Sequence, residues 1–244
     1  MGTQFLFYQN VTPVSLQRHA GWSVEAPDRY HFARGVSSVP LTAVEMPHAA
    51  LEYTIVFQGS GVPTPAVLLG VREDHNLYLD EDGSWNARYI PAFIRRYPFL
   101  LALSQDQKTL TLCIDESFSG CNQEGRGEAL FDEKTERTPY LSGVFEFLQD
   151  YQRQFARTEG YCQKLQKLGL LEAMKAQFNL GMGEERTLSG FYAVKREKLK
   201  SLPAETLAEL VKSDELELTY AHLASMNNLS AMLARVAAAK TPSD

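Results

Sequence analysis

At 244 residues, with 44% hydrophobic and 22% charged residues, the chain has the make-up of a globular protein that buries a core without metal or disulfide staples. A net charge of −6 argues against a basic nucleic-acid binder, and no apolar run approaches the roughly 18–20 residues of a membrane span. No Ser/Gly/Pro-rich linker divides the chain, so a single domain over residues 1–244 is expected.

The N-terminus carries no Lys or Arg before Arg18, and its apolar stretch at 5–8 is too short for a signal-peptide core. Gly2 resembles a myristoylation start, but Leu6 stands where Ser or Thr is needed. A cytoplasmic protein is expected. Three cysteines, Cys113, Cys121 and Cys162, form no C-x-x-C pair and read as free thiols. Further along, 53–57 (Tyr-Thr-Ile-Val-Phe), 66–71 and 76–79 are short strand-like runs. Asp82-Gly83, between Leu79 and Trp85, predicts a hairpin turn. Residues 99–103 and 109–114 predict a second hairpin around 105–108. Residues 116–137 read as a long polar loop.

Thr138 and Pro139 then open a helix whose apolar face is Val144, Leu148, Tyr151, Phe155, Cys162 and Leu165, and Gly169 ends it. Two strands at 176–180 and 188–194 are joined by a turn at 181–186. A short helix follows Pro203. Ser213 is expected to cap a last helix with the stripe Leu216, Tyr220, Leu223, Leu229 and Leu233, ahead of a frayed tail at 240–244. The expected class is α+β: a mainly antiparallel sheet in the first half, about 40–115, packed with C-terminal helices, about 138–238.

The usual catalytic patterns are absent. There is no G-x-S-x-G elbow. Gly120 and Gly125 have the outer spacing of a phosphate loop, but Arg126-Gly127 replaces Lys-Ser/Thr. Gly181-Met182-Gly183 runs into acidic residues. None of His19, His31, His48, His75 and His222 pairs with another at i, i+4, so neither a metal nor a cofactor is expected. Asp80 and Asp82 lack further calcium ligands and read as turn residues. His222, beside the last apolar stripe, reads as a hydrogen-bonded core histidine, with ligand binding as the alternative.

The most unusual stretch is 85–99, which interleaves Arg88, Arg95 and Arg96 with aromatic residues. Arginine stacks on rings and forks onto carboxylates. In an extended segment Arg95 and Arg96 would face opposite sides; in a helix they would lie about 100° apart. Either way they are expected to divide their roles. One faces a cleft walled by Trp85, Tyr89 and Tyr97 and receives an anion such as a peptide carboxylate. The other is held inside by a carboxylate such as Asp115 or Glu116. The plainer alternative is that both only tie the sheet to the helices.

The run Tyr-Ile-Pro-Ala-Phe-Ile-Arg-Arg-Tyr-Pro-Phe at 89–99 resembles the signature of the bacterial SapC-like family. The likeness continues collinearly through Val-Pro-Leu at 39–41, Glu-Tyr-Thr-Ile-Val-Phe at 52–57, Gly-Phe-Tyr-Ala-Val at 190–194 and Tyr-Ala-His-Leu-Ala-Ser-Met-Asn-Asn-Leu at 220–229. The family takes its name from a bacterial surface layer. The resemblance implies an accessory protein with a protein or peptide partner in surface-layer or peptide maturation and export. It carries no catalytic residues. The alternative function is an enzyme that modifies a peptide or small molecule through a site assembled from scattered residues. Candidate binding residues are Arg95, Arg96, Tyr89, Tyr97, Trp85 and His222.

Overall fold

A computed structural model describes residues 5–27, 29–72, 74–103, 109–179 and 185–238. The N-terminal half is a succession of short elements: β1 (Val11–Pro13), α1 (Leu16–His19), β2 (Ser23–Val24), β3 (Ser38–Pro40), a 3-10 turn at Ala43–Glu45, and α2 (Met46–Ala49). Next come β4 (Thr54–Gln58), β5 (Thr64–Leu68), the one-turn α3 (Ala92–Arg95), β6 (Phe99–Leu103), β7 (Leu110–Asp115), β8 (Cys121–Asn122) and β9 (Glu128–Ala129). The long α4 (Pro139–Lys167) leads to β10 (Leu171–Asn179) and β11 (Glu185–Val194). The chain then runs through α5 (Arg196–Lys200), α6 (Ala204–Lys212), α7 (Glu215–Ser225) and α8 (Asn228–Ala238). The class is α+β, with every strand pairing antiparallel.

The central sheet has the order β10-β11-β4-β5-β3. Its middle strands carry apolar runs at 55–57 and 65–68 because both faces are covered. Ile55, Phe57, Val67 and Leu69 face the main core, which draws on residues from Phe7 to Leu218. Val56 and Leu68 point the other way, into a smaller core with Phe191, Met232 and Val236, closed by α8. Between β10 and β11 the register shifts, so Ser189 and Gly190 oppose Lys175 alone. Gly190 supplies the positive φ of 84° that such a bulge uses.

The expected hairpin at 99–114 forms, with Leu101 opposite Leu112; its turn at 105–108 lies outside the described residues. The Asp82-Gly83 turn also forms, with Gly83 at φ 83°. A Cβ there would come within 2.5 Å of the His31 ring, so glycine is required twice over. This turn closes only the single bridge Leu79–Trp85 rather than two full strands. The 116–137 segment is not one loop: β8 and β9 flank β2 in a small sheet. Asn122 fastens that segment, donating to the Gly120 and Arg126 carbonyls and accepting from the Glu124 and Arg126 amides. Two-residue strands show no periodicity, and their partner lies about a hundred residues upstream.

Thr138 caps α4 by accepting from the Leu141 amide at 3.2 Å, and Gly169 ends it at φ 62°. The buried face includes Leu148, Tyr151, Cys162 and Leu165 as expected, together with Leu141, Thr158 and Tyr161; Val144 and Phe155 are half-buried. β10 starts at Leu171, earlier than the pattern suggested, and the 180–184 connection lies outside the described residues. The single last helix is in fact two, α7 and α8. Asn228 opens the second by donating to the carbonyls of Ala50 and Tyr53, both at 2.8 Å. Ser213 does not cap α7: its hydroxyl donates to the Glu215 carboxylate at 2.7 Å, and Asp214, at φ 60°, takes the cap position. The 240–244 tail lies outside the described residues. All three cysteines are free thiols. Among the described residues no helix is long and apolar enough to cross a membrane.

Candidate functional site

The 85–99 segment bends into a helical turn at Pro91. The Pro91 carbonyl accepts from Ile94 and Arg95 at 2.9 and 3.1 Å, which makes α3. Two carboxylates hold the approach to this turn. Glu52 accepts from the amides of Arg88 (2.9 Å) and Tyr89 (3.0 Å). Glu45 is buried and spends both oxygens inside the fold. One takes the Ala92 amide at 2.7 Å and the Tyr89 hydroxyl at 2.8 Å; the other takes the Thr42 amide and hydroxyl at 2.9 and 2.7 Å. Burial, then the Glu45 charge, raises the Tyr89 pKa, so its phenol stays a neutral donor.

The fold divides the two arginines. Arg96 is 4% exposed, while Arg95 lies at the surface. Arg95 donates from Nε to the Ile90 carbonyl at 2.9 Å, and its Cζ lies 5.4 Å from the centre of the Phe147 ring. It lines an open groove of about 250 Å³ with Glu45, His48, Tyr89, Phe147 and Asp150. His48 stacks on Tyr89 with ring centres 5.9 Å apart.

The other expected walls go elsewhere. Arg96 packs against rings, 4.0 Å from the centre of Phe93 and 5.3 Å from Tyr151. It borders a separate pocket of about 400 Å³ with Leu101, Leu103 and Phe155. Tyr97 is buried among Phe7, Tyr8, Phe32 and Phe118 and borders a third cavity, of about 660 Å³. Trp85 stands behind the groove as a brace: its Nε1 donates to the Tyr53 hydroxyl at 2.8 Å, and that hydroxyl donates to the Tyr89 carbonyl at 2.5 Å. Of the expected cleft, the structure therefore brings together Arg95 and Tyr89.

The carboxylates offered as internal partners have other work. Asp115 takes the amides of Gln9, Asn10 and Ser117 and the Ser117 hydroxyl, pinning the N-terminal segment to β7. Burial pushes its pKa up, but these donors outweigh that and hold it below the usual carboxylate range. Glu116 pairs with Arg18 and with the buried His19.

His222 lies apart from the groove, fully buried in α7. By the β4–β11 register, Val194 stands opposite Ile55, yet the ladder stops at Tyr192–Phe57. The imidazole fills the gap as a substitute rung. Nε2 accepts from the Val194 amide and Nδ1 donates to the Ile55 carbonyl, each at 3.0 Å. Ser225 completes the seam by accepting from the Ile55 amide at 3.0 Å. Both ring nitrogens are committed, so His222 offers none to a ligand. Burial lowers its pKa to about 4.

Sequence reasoning missed Glu45, although Thr42-Ala-Val-Glu45 has the spacing of a capping box, and the structure forms one. Among the described residues no three His, Cys, Asp or Glu side chains come together as a metal site.

The site is thus a surface groove carrying one arginine on a braced turn, within an α+β fold. The SapC family model matches residues 14–232. The chain belongs to the SapC family. No curated protein and no solved structure matches it.

Proposed function

We propose that this protein is a non-catalytic binding protein whose Arg95 groove takes an anionic group of a protein or peptide partner. The supporting observation is an exposed guanidinium on a turn that Glu45 and Glu52 lock from behind. The Arg95 stem is already ordered by Ile90 and Phe147. Less conformational freedom remains to be lost on binding, which is how preorganisation raises affinity. Family membership supports a partner in bacterial surface-layer or peptide maturation and export, served by a cytoplasmic accessory factor acting as one folding unit, with no cofactor or nucleic acid.

The test is a photoreactive residue in place of Val44, on the groove rim, in the full chain in its source cells. A protein or peptide should cross-link there and be lost when Arg95→Gln is added. Cross-linking unaffected by Arg95→Gln, or none at all, would overturn the proposal.

A further inference from the structure

We infer that the Arg95 groove reads the C-terminal end of a peptide: the terminal carboxylate on the Arg95 guanidinium, the last backbone N–H on acceptors of α4. This deepens the binding reading above and rests on it.

The donor side of the groove is one arginine, Arg95, with the His48 imidazole stacked on Tyr89 beside it. With Nε committed to the Ile90 carbonyl, Cζ held over Phe147 and a hydrogen bond made to the Tyr89 hydroxyl, Arg95 still offers a fork of its remaining Nη N–H groups. Such a fork matches the two oxygens of one carboxylate. The long helix α4 adds acidic and polar groups to the groove. Asp150 and Gln154 of α4 line the same groove, and Asp150 is exposed, accepting from Arg153 through Oδ1 at 3.0 Å. Glu45 adds a second negative charge at the floor.

This pattern discriminates between anions. A phosphate brings two charges against one arginine and meets Glu45 and Asp150, which repel it. A peptide terminus brings one charge and, beside it, an amide N–H that Asp150 or Gln154 accepts. The groove is also open and only about 250 Å³ in volume. Small-molecule sites enclose about 70–90% of their ligand; an open groove suits the end of a chain that continues outside. Val44, 51% exposed on the rim, offers apolar contact to the last side chain. The occupant is therefore a peptide C-terminus with an apolar final residue.

The experiment titrates the full-length protein with acetyl-Gly-Gly-Ala-Leu as free acid and as C-terminal amide, with free leucine and inorganic phosphate as competitors, followed by NMR. The acid should bind about ten-fold or more tightly than the amide, as loss of one charge-assisted pair implies. Resonance shifts should centre on Tyr89, Arg95 and Phe147. Arg95→Gln should abolish the preference for the acid, and Arg95→Lys should keep part of it. Equal binding of acid and amide, no binding of either, or competition by phosphate or leucine as strong as by the acid would overturn the inference. If the Val44 cross-link still depends on Arg95 in that event, the general binding reading stands and only the C-terminal assignment falls.

Discussion

The His222 seam and the Arg95 groove are both polar sites built by helices against the central part of the molecule, yet they end in opposite states. At the seam every polar group finds its match inside the protein: Val194 amide, imidazole, Ile55 carbonyl, Ile55 amide, Ser225 hydroxyl. At the groove the frame is equally well satisfied, through Glu45 and Glu52, but the group it carries faces outward. A closed hydrogen-bond circuit is architecture, because nothing is left to offer a ligand. A satisfied frame that presents an outward charge is what a binding site requires.

The difference should be largest in stability. His222→Ala leaves the Val194 amide and Ile55 carbonyl buried without partners and opens a void, a cost of about 3–6 kcal/mol by denaturant unfolding. A loss under 1 kcal/mol would show that the seam closes without the imidazole.

Acid should attack the same point. Nδ1 already donates and Nε2 must accept, so a proton on Nε2 breaks the bond from Val194. The ordinary histidine pKa of 6.5 falls to about 4 in the folded protein. Between those values the unfolded chain binds the extra proton and the native state does not, so stability rises with pH across this window. Going from pH 6.5 down to 4, His222 alone should remove about 3 kcal/mol. The stabilising contribution is whole above pH 6.5. Urea titrations of wild type and His222→Gln should differ in slope between pH 4 and 6.5 and run parallel above it. Identical slopes would refute the substitute-rung assignment.

The groove's frame should be intermediate. Glu45→Gln keeps the shape but turns an amide NH₂ towards donors from Thr42, Tyr89 or Ala92. About 1–3 kcal/mol should be lost, and partner binding should weaken because the turn that carries Arg95 loses its anchor. Wild-type stability in this variant would mean that α3 needs no anchor.

These two regions were unequally legible in the sequence. The Arg95/Arg96 division could be read because adjacent residues point apart in either a strand or a helix. The cleft walls could not: once Pro91 starts a helical turn, Tyr97 is carried into the ring cluster of Phe7, Phe32 and Phe118, and Trp85 is left behind the groove. Local signals fared well, as at Thr138, Gly169 and Gly83, because each depends on its neighbours in sequence. His222 read as a core residue from its apolar stripe. Its partners Val194 and Ile55 lie 28 and 167 residues away, and no local pattern reports such a distance. The small sheet around β2 stayed hidden for the same reason.

The smallest expected stability effect sharpens the comparison most. Arg95 is exposed and meets the fold at the Ile90 carbonyl, the face of Phe147 and the Tyr89 hydroxyl. Arg95→Gln should therefore change unfolding free energy by no more than about 0.5 kcal/mol, the usual range for surface substitutions. The bond to Ile90 is local, five residues apart, and a surface cation over a ring adds only about 0.5–1 kcal/mol, part of which glutamine's own contact with Phe147 replaces. Binding should respond in the reverse sense, with the cross-link from Val44 lost while the melting curve stays in place. A residue that tied the sheet to α4 would show the opposite pattern: clear destabilisation, and binding that fails only in proportion to unfolding. Melting and cross-linking measured on the same preparation separate the two roles directly.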